Sequence, residues 1–252
     1  GWDWSSVQGG LLNQLESRDR RTRQVAARVV ARMPEAAWRR IRSLVARRRP
    51  RARVAAAWGG RAHVEGVDRD GLAVALEVLS AKRSESDVVG LKLEAARLAE
   101  LALGDVGPAK GRAAVFDGYA ALLPAAALSP VSGEVSRVVD AVFPSADPEL
   151  DIELARLAAM VSSARPQLLS KFLARLDQGF HPVSDLHFLI TVARIPLQRN
   201  SAQRKRTAAA LVGLQAKIDR MSLNQDSNWD DRIGELYRQH VKLDSVLPIS
   251  IL

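Results

Sequence analysis

The stretch "LLNQLESRDRRTRQVAARVVARM", residues 11–33, decides how the chain is read. With Val7 ahead of them, Leu11, Leu12 and Leu15 fall on one side of a helix of period 3.6. A short turn around Asp19 follows. Then Val25, Val29 and Met33 recur four apart, with Ala26 and Val30 beside them and Arg21, Arg28 and Arg32 on a different flank. An apolar helix, an acid-bearing turn and an arginine–alanine helix have the rhythm of a HEAT-type repeat. Such a unit cannot bury its apolar stripe alone and stacks on its neighbours.

Outward from this stretch, nearly every segment keeps the helical period. "SSVQGG" supplies a serine N-cap for the first helix. Pro34 suits the first turn of "PEAAWRRIRSLVARR", where its missing N–H costs nothing, and Pro50 repeats the device before "RARVAAAW". Gly59 and Gly60 are expected to stop that helix. Further helices are expected at "DGLAVALEVL", "SESDVVGLKLEAARLAELAL", "SGEVSRVVDAVF", "DPELDIELARLAAMVS", "RPQLLSKFLARLD", "PVSDLHFLITVARI", "SAQRKRTAAALVGLQAKIDRMS" and "SNWDDRIGELYRQHVKLD". No alternating strand pattern or hairpin turn appears. "RLDQGFHPVSDLHFLITVARI" echoes the opening repeat weakly. The expected fold is all-α, with HEAT-like antiparallel helix pairs stacked in an irregular right-handed solenoid; a compact helical bundle is the alternative. Residues 1–104 read as arginine-rich repeats, 105–131 as an irregular connection rich in glycine and proline, and 132–252 as C-terminal repeats, or the whole as one continuous solenoid.

Composition narrows the chemistry. The chain has 252 residues and no cysteine, which excludes disulfides, thiolate metal sites, cysteine nucleophiles and c-type haem attachment within it. Its longest uncharged run, 118–133, contains Pro124 and Pro130 and is too short to cross a bilayer. No signal peptide is visible, and the start at Gly1 suggests a piece of something longer. The net charge of +9 is uneven. Residues 1–60 hold 14 arginines, no lysine and four acids (Asp3, Glu16, Asp19 and Glu35), whereas the remainder holds 23 basic and 24 acidic side chains. Such an asymmetry points to an acidic partner.

The candidate binding residues are therefore Arg39, Arg40, Arg47, Arg48, Arg49, Arg51 and Arg53. Pro50 divides them between a helix end and the next helix start, so they cannot form one stripe on one helix. Trp38 shares a helical face with Ile41 and Val45, which makes it a core residue rather than a stacking platform. His181 and His187 stand six apart, a poor spacing for a metal. Asp147, Glu149, Asp151 and Glu153 follow or flank Pro148, where acids complement the helix dipole, and Asp185, Asp230 and Asp231 read the same way. Gly104, Gly107 and Gly111 lack the strand and the Lys-Ser or Lys-Thr pair of a phosphate loop. Trp2 and Trp4 bracket Asp3, which only proximity recommends as the catalytic carboxylate of a HEAT-like DNA glycosylase. No catalytic, cofactor or metal residue is assigned.

Three stretches together, "RLAELALGDVGPAKGRAAVFDGY" (97–119), "VFPSADPELDIELARLAAMV" (142–161) and "HPVSDLHFLITVARIP" (181–196), resemble the HEAT-like helical region of large bacterial multidomain proteins. In those proteins helical repeats accompany dehydrogenase-type propeller and c-type haem modules. The resemblance implies an exported, periplasmic scaffold between modules, with a cytoplasmic location as the alternative. The chain lacks haem-binding cysteines and propeller blades, so neither haem nor dehydrogenase activity transfers to it. The expected function is a non-catalytic helical scaffold or protein-interaction module with a basic end for acidic partners. The alternative is a nucleic-acid-binding HEAT-like protein that contacts phosphates through the same arginines.

Overall fold

A computed structural model of the chain describes residues 4–82, 88–105, 118–176, 181–225 and 227–250, and all the regular structure among them is helical. The chain divides into two compact units, residues 1–104 with 123–127 and residues 105–122 with 128–252.

The first unit contains α1 (Trp4–Leu15), α2 (Arg20–Ala31), α3 (Glu35–Val45), α4 (Pro50–Gly60), a 3₁₀ turn (Arg61–His63), α5 (Arg69–Ser80) and α6 (Val88–Ala102). Local chemistry starts several of these. Asp19 caps α2, accepting from the Thr22 N–H at 2.8 Å and the Thr22 hydroxyl at 2.6 Å. Pro50 occupies the first turn of α4, and Asp68 caps α5 by accepting from the Gly71 N–H at 2.9 Å. α1 already begins at Trp4, so Ser5 and Ser6 fall at positions within its first turn.

α4 is the centre of this unit and packs against all five other helices. Its buried residues, Ala52, Val54, Ala55, Ala56, Gly59 and Gly60, nearly encircle it, as a helix surrounded by others requires. Gly59 and Gly60 are the last two residues of the helix, which stops there as expected and passes into the 3₁₀ turn, and they also let its neighbours approach. A Cβ on Gly59 would collide with the Ala27 carbonyl oxygen and stand 2.6 Å from Val30 Cβ. One on Gly60 would enter the Trp38 ring, 2.7 Å from Cη2. Trp38 is buried, as its helical face predicts, and stacks on His63 with ring centroids 5.8 Å apart.

The same close approach corrects the expected apolar face of α2. Val25 is 60 % exposed and Val29 is also exposed, while Arg23, Ala26, Ala27 and Val30 are buried. Ala26, Ala27 and Val30 turn inward, and the approach of α4 is close enough that Val30 packs directly on Gly59. Val7 of α1 is likewise exposed, whereas Leu11, Leu12 and Leu15 are core.

The second unit contains most of α7 (Ala125–Val142), then α8 (Pro148–Met160), α9 (Pro166–Leu176), α10 (Pro182–Val192), α11 (Ser201–Arg220), α12 (Trp229–Leu243) and a 3₁₀ turn (Leu247–Ser250). α7 starts at Ala125, inside the stretch expected to be irregular, and continues through Pro130. Its alanine-rich opening is strongly helix-forming, and a proline this near the N-terminus disturbs only one intrahelical bond. Asp147 caps α8 through the Leu150 N–H at 2.8 Å, and Asn200 with Gln203 forms a reciprocal capping box at α11. α10 packs on α8, α9, α11 and α12. Phe143, Phe172 and Phe188 form an aromatic cluster, the closest centroids 4.7 Å apart. His240 of α12 is fully buried, and neither ring nitrogen makes a well-formed hydrogen bond.

Two outcomes follow from this packing. Gly60→Ala should lower stability by roughly 1–3 kcal/mol through overpacking, whereas Gly10→Ala, on an α1 position with open space around it, should gain about 0.5–1 kcal/mol. Urea denaturation of the two variants would separate them, and equal effects would refute the close-approach account.

The second outcome concerns acid. Burial, then the nearby Arg199 guanidinium, pulls His240 from an ordinary 6.5 to about 3, against a small opposing influence of the Leu189 backbone. Below pH 6.5 the unfolded ring takes up a proton that the folded ring refuses, so this contribution to stability is lost as pH falls toward about 3. The slope is about 1.4 kcal/mol per pH unit in that window. Replacing His240 by Leu should remove one proton's worth of acid sensitivity from the unfolding midpoint measured across pH 4–7.

Candidate functional site

The structure does not gather the seven candidate arginines into one site. Arg39 and Arg40 lie on α3, Arg47, Arg48 and Arg49 in the turn after it, and Arg51 and Arg53 on α4. Arg48 and Arg49 converge on Glu16 at the end of α1, at 3.4 and 3.2 Å. Arg53 grips Glu77 of α5 with two bonds of 2.6 Å, which raises its pKa further and keeps it charged. Arg39 pairs with Glu35 one turn back at 2.5 Å, and Arg51, half-buried, is engaged in a polar contact of its own. Arg40 and Arg47 are exposed and have no acidic partner among the described residues.

Arg39 and Arg53 nevertheless share a groove with Arg42, which the sequence reading did not single out. This groove lies between α3, α4 and α5 and has a volume of about 450 Å³. Trp38, three valines, small residues such as Ala56 and Gly60, Ser43, and the carboxylates of Asp68 and Asp70 line the rest of it. Arg42 reaches Asp70 at the start of α5 at 2.5 Å, with both side chains more than half exposed. An exposed pair of this kind contributes only about 0–1 kcal/mol, so a partner's carboxylate can replace Asp70 at little cost.

A second groove, of about 340 Å³, lies on another side of α4, against α2 and α6. It is lined by Arg20, Arg23, Gln24, Arg28, Trp58 and Glu94, with alanines and Gly59 between them. Arg23 is buried. It donates to the Ser17 and Arg18 carbonyls at 2.8 and 2.9 Å and to the Glu94 carboxylate at 2.5 Å. Arg20 stands 3.6 Å from the same carboxylate, and Trp58 Nε1 donates to the Glu94 carbonyl at 3.3 Å. The expected arginine flank of α2 is Arg21, Arg28 and Arg32, whereas the groove takes Arg20, Gln24 and Arg28, which are spaced four apart. Nothing in the sequence points to Glu94, which lies 71 positions from Arg23.

In the second unit the carboxylates after Pro148 do more than complement a helix dipole. Asp151 is buried, accepts from the Ser145 N–H at 2.6 Å and pairs with Arg175; Glu153 is buried and accepts from Arg156 at 2.8 Å. Glu149, Asp230 and Asp231 are exposed in first turns, as expected. Asp185 is buried against Lys217, and burial raises its pKa despite that ammonium. His181 opens α10, where its Nδ1 accepts from the Val183 N–H at 3.3 Å. His187 shares a hydrogen bond with the Tyr119 hydroxyl and is held mainly neutral by burial. The two histidines are not brought together as a pair of ligands. Among the described residues no group of three or more His, Asp or Glu side chains is placed to hold a metal ion, and no helix is long and apolar enough to cross a membrane. Trp2, Asp3, Gly107 and Gly111 lie outside the described residues.

Comparison with known protein families, with curated proteins and with solved structures finds no match to this chain.

Proposed function

We propose that the chain is a helical-repeat interaction module whose first unit docks an acidic segment of a partner protein. The observation that carries this reading is the groove between α3, α4 and α5. There Arg39, Arg42 and Arg53 stand around a largely apolar floor of Trp38, valines, alanines and glycines, with the buried Asp68 and the exposed Asp70 as its two carboxylates, and the lining residue Ala46 is followed directly by Arg47, which has no acidic partner among the described residues. Positive rim and apolar floor match an amphipathic acidic segment in both charge and shape. The repeat character of the proposal rests on the packing of consecutive helices. α1 with α2, α3 with α4 and α5 with α6 each pair, and α4 lies between α2 and α6. A stack of three HEAT-like hairpins would produce this pattern. A scaffold role beside other modules, in the exported setting that the resemblance implies, is part of the same proposal.

Nucleic acid is the weaker reading because Trp38 is core and offers no stacking face, and because the arginines are divided between α3, the turn after it and α4 instead of forming one continuous basic face. The two readings separate in one titration. A labelled peptide of Glu-Glu-Ala-Leu repeats should bind at ~50 mM salt and lose at least about tenfold in affinity when Arg39, Arg42 and Arg47 are changed to Glu, about 1.4 kcal/mol. Duplex DNA and single-stranded RNA in the same assay should bind more weakly, with a shallow dependence on salt. A steep log–log salt slope for nucleic acid, with no binding of the peptide, would overturn the proposal.

A further inference from the structure

The groove between α2, α4 and α6 differs from the one on the α3–α5 side in shape and in charge. It contains three guanidinium groups but a single carboxylate, Glu94. That carboxylate is already shared, with Arg23 at 2.5 Å and Arg20 at 3.6 Å. Arg28 is exposed and has no partner among the described residues. Arg23 is more than nine-tenths buried, and its Nε–H finds no acceptor although both terminal nitrogens do. That Nε–H is closed off from the groove's contents, so the guanidinium groups a ligand can reach are the exposed ones of Arg20 and Arg28. Gln24 adds an exposed amide at the edge.

The remaining lining is apolar and shallow. Ala27, Ala31, Ala55 and Gly59 contribute a methyl group or less, and Trp58 contributes its ring while its Nε1 is occupied by the Glu94 carbonyl. A volume of about 340 Å³ is near the lower end of small-molecule sites, ~300–1,000 Å³, and suits a ring-sized group rather than a helix. A planar guanidinium matches a planar carboxylate. Glu94 within the pocket opposes the second charge of a phosphoryl group more than the single charge of a carboxylate.

We propose that this pocket binds a carboxylate carried on an aromatic body, with the carboxylate held by Arg20 and Arg28 and the ring against Trp58 and the alanines. The carboxylate comes either from a free aromatic acid or from the chain end of a peptide that finishes in an aromatic residue. The site is separate from the acidic-segment groove, and its arginines are different ones.

The test follows the Trp58 indole N–H signal by NMR in the full chain, assigned through a Trp58→Phe variant. 2-Naphthoate should shift this signal saturably. Its neutral counterpart 2-naphthylmethanol should not, and Arg28→Ala should weaken 2-naphthoate at least about tenfold, equivalent to 1.4 kcal/mol. Arg28 is exposed, so the variant is expected to keep its helical circular dichroism; Gln24→Ala provides a second, milder variant with a smaller loss. A peptide ending in Phe with a free carboxylate, compared with its amidated form, distinguishes the two sources: tighter binding than 2-naphthoate that vanishes on amidation assigns the chain end. Equal responses to acid and alcohol, unchanged affinity in Arg28→Ala, preference for naphthyl phosphate, or no saturable shift would each overturn the proposal. Charge reversal at Arg39, Arg42 and Arg47 should leave 2-naphthoate binding intact, so failure here is distinct from failure of the acidic-segment groove.

Discussion

Everything in the first unit depends on the close approach of α4 to its neighbours. Two consecutive glycines let the Ala27 backbone press on one side of the helix and the Trp38 ring on another. Without Cβ atoms there, dispersion contacts form at distances that side chains would prevent. The cost is the low helix propensity of glycine, which packing on five neighbours offsets. Both grooves are a by-product of this arrangement. A central helix made of alanine and glycine brings neighbouring backbones together but leaves shallow spaces where larger side chains would stand.

The arginines follow from the same geometry. Counted to residue 60, the chain has a large basic excess; Glu16 and Glu35 answer part of it from within that stretch, and Asp70, Glu77 and Glu94 answer more of it from later in the chain. The folded unit is therefore less polarised than its first quarter. Most of these pairs are exposed and contribute little to stability. Arg23 with Glu94 is the exception, because the guanidinium is buried and its removal from water must be balanced by that carboxylate and two carbonyls.

Much of the fold was legible in the sequence because helix starts are written locally. Asp19, Pro50, Asp68, Asp147 and Asn200 act within three residues of themselves, and a reader of the chain can find them. The facing of α2 was not legible in this way. Val25 and Val29 are more apolar than Ala26 and Ala27, so periodicity favours the wrong stripe. The inward face is set by the close packing of α4, whose Gly59 receives the Ala27 backbone and the Val30 side chain. The sites were harder still. Arg39 and Arg53 were identified from charge, but their groove includes Arg42, and the α2–α6 pocket depends on a glutamate far away in the chain. Side-chain chemistry at one position does not announce a partner seventy residues on.

The Arg23–Glu94 contact also ties the arginine-rich first quarter of the chain to α6. The arginine-rich first quarter looks like a detachable basic tag, bounded by two glycines. A fragment cut after residue 60 would keep Arg23 and the inward face of α4 but lose α5, α6 and the only carboxylate that Arg23 holds among the described residues. The charge-rich segment is thus not a tail appended to a helical body. It belongs to one compact unit that reaches to residue 104, and its buried guanidinium is balanced by a carboxylate near that far end.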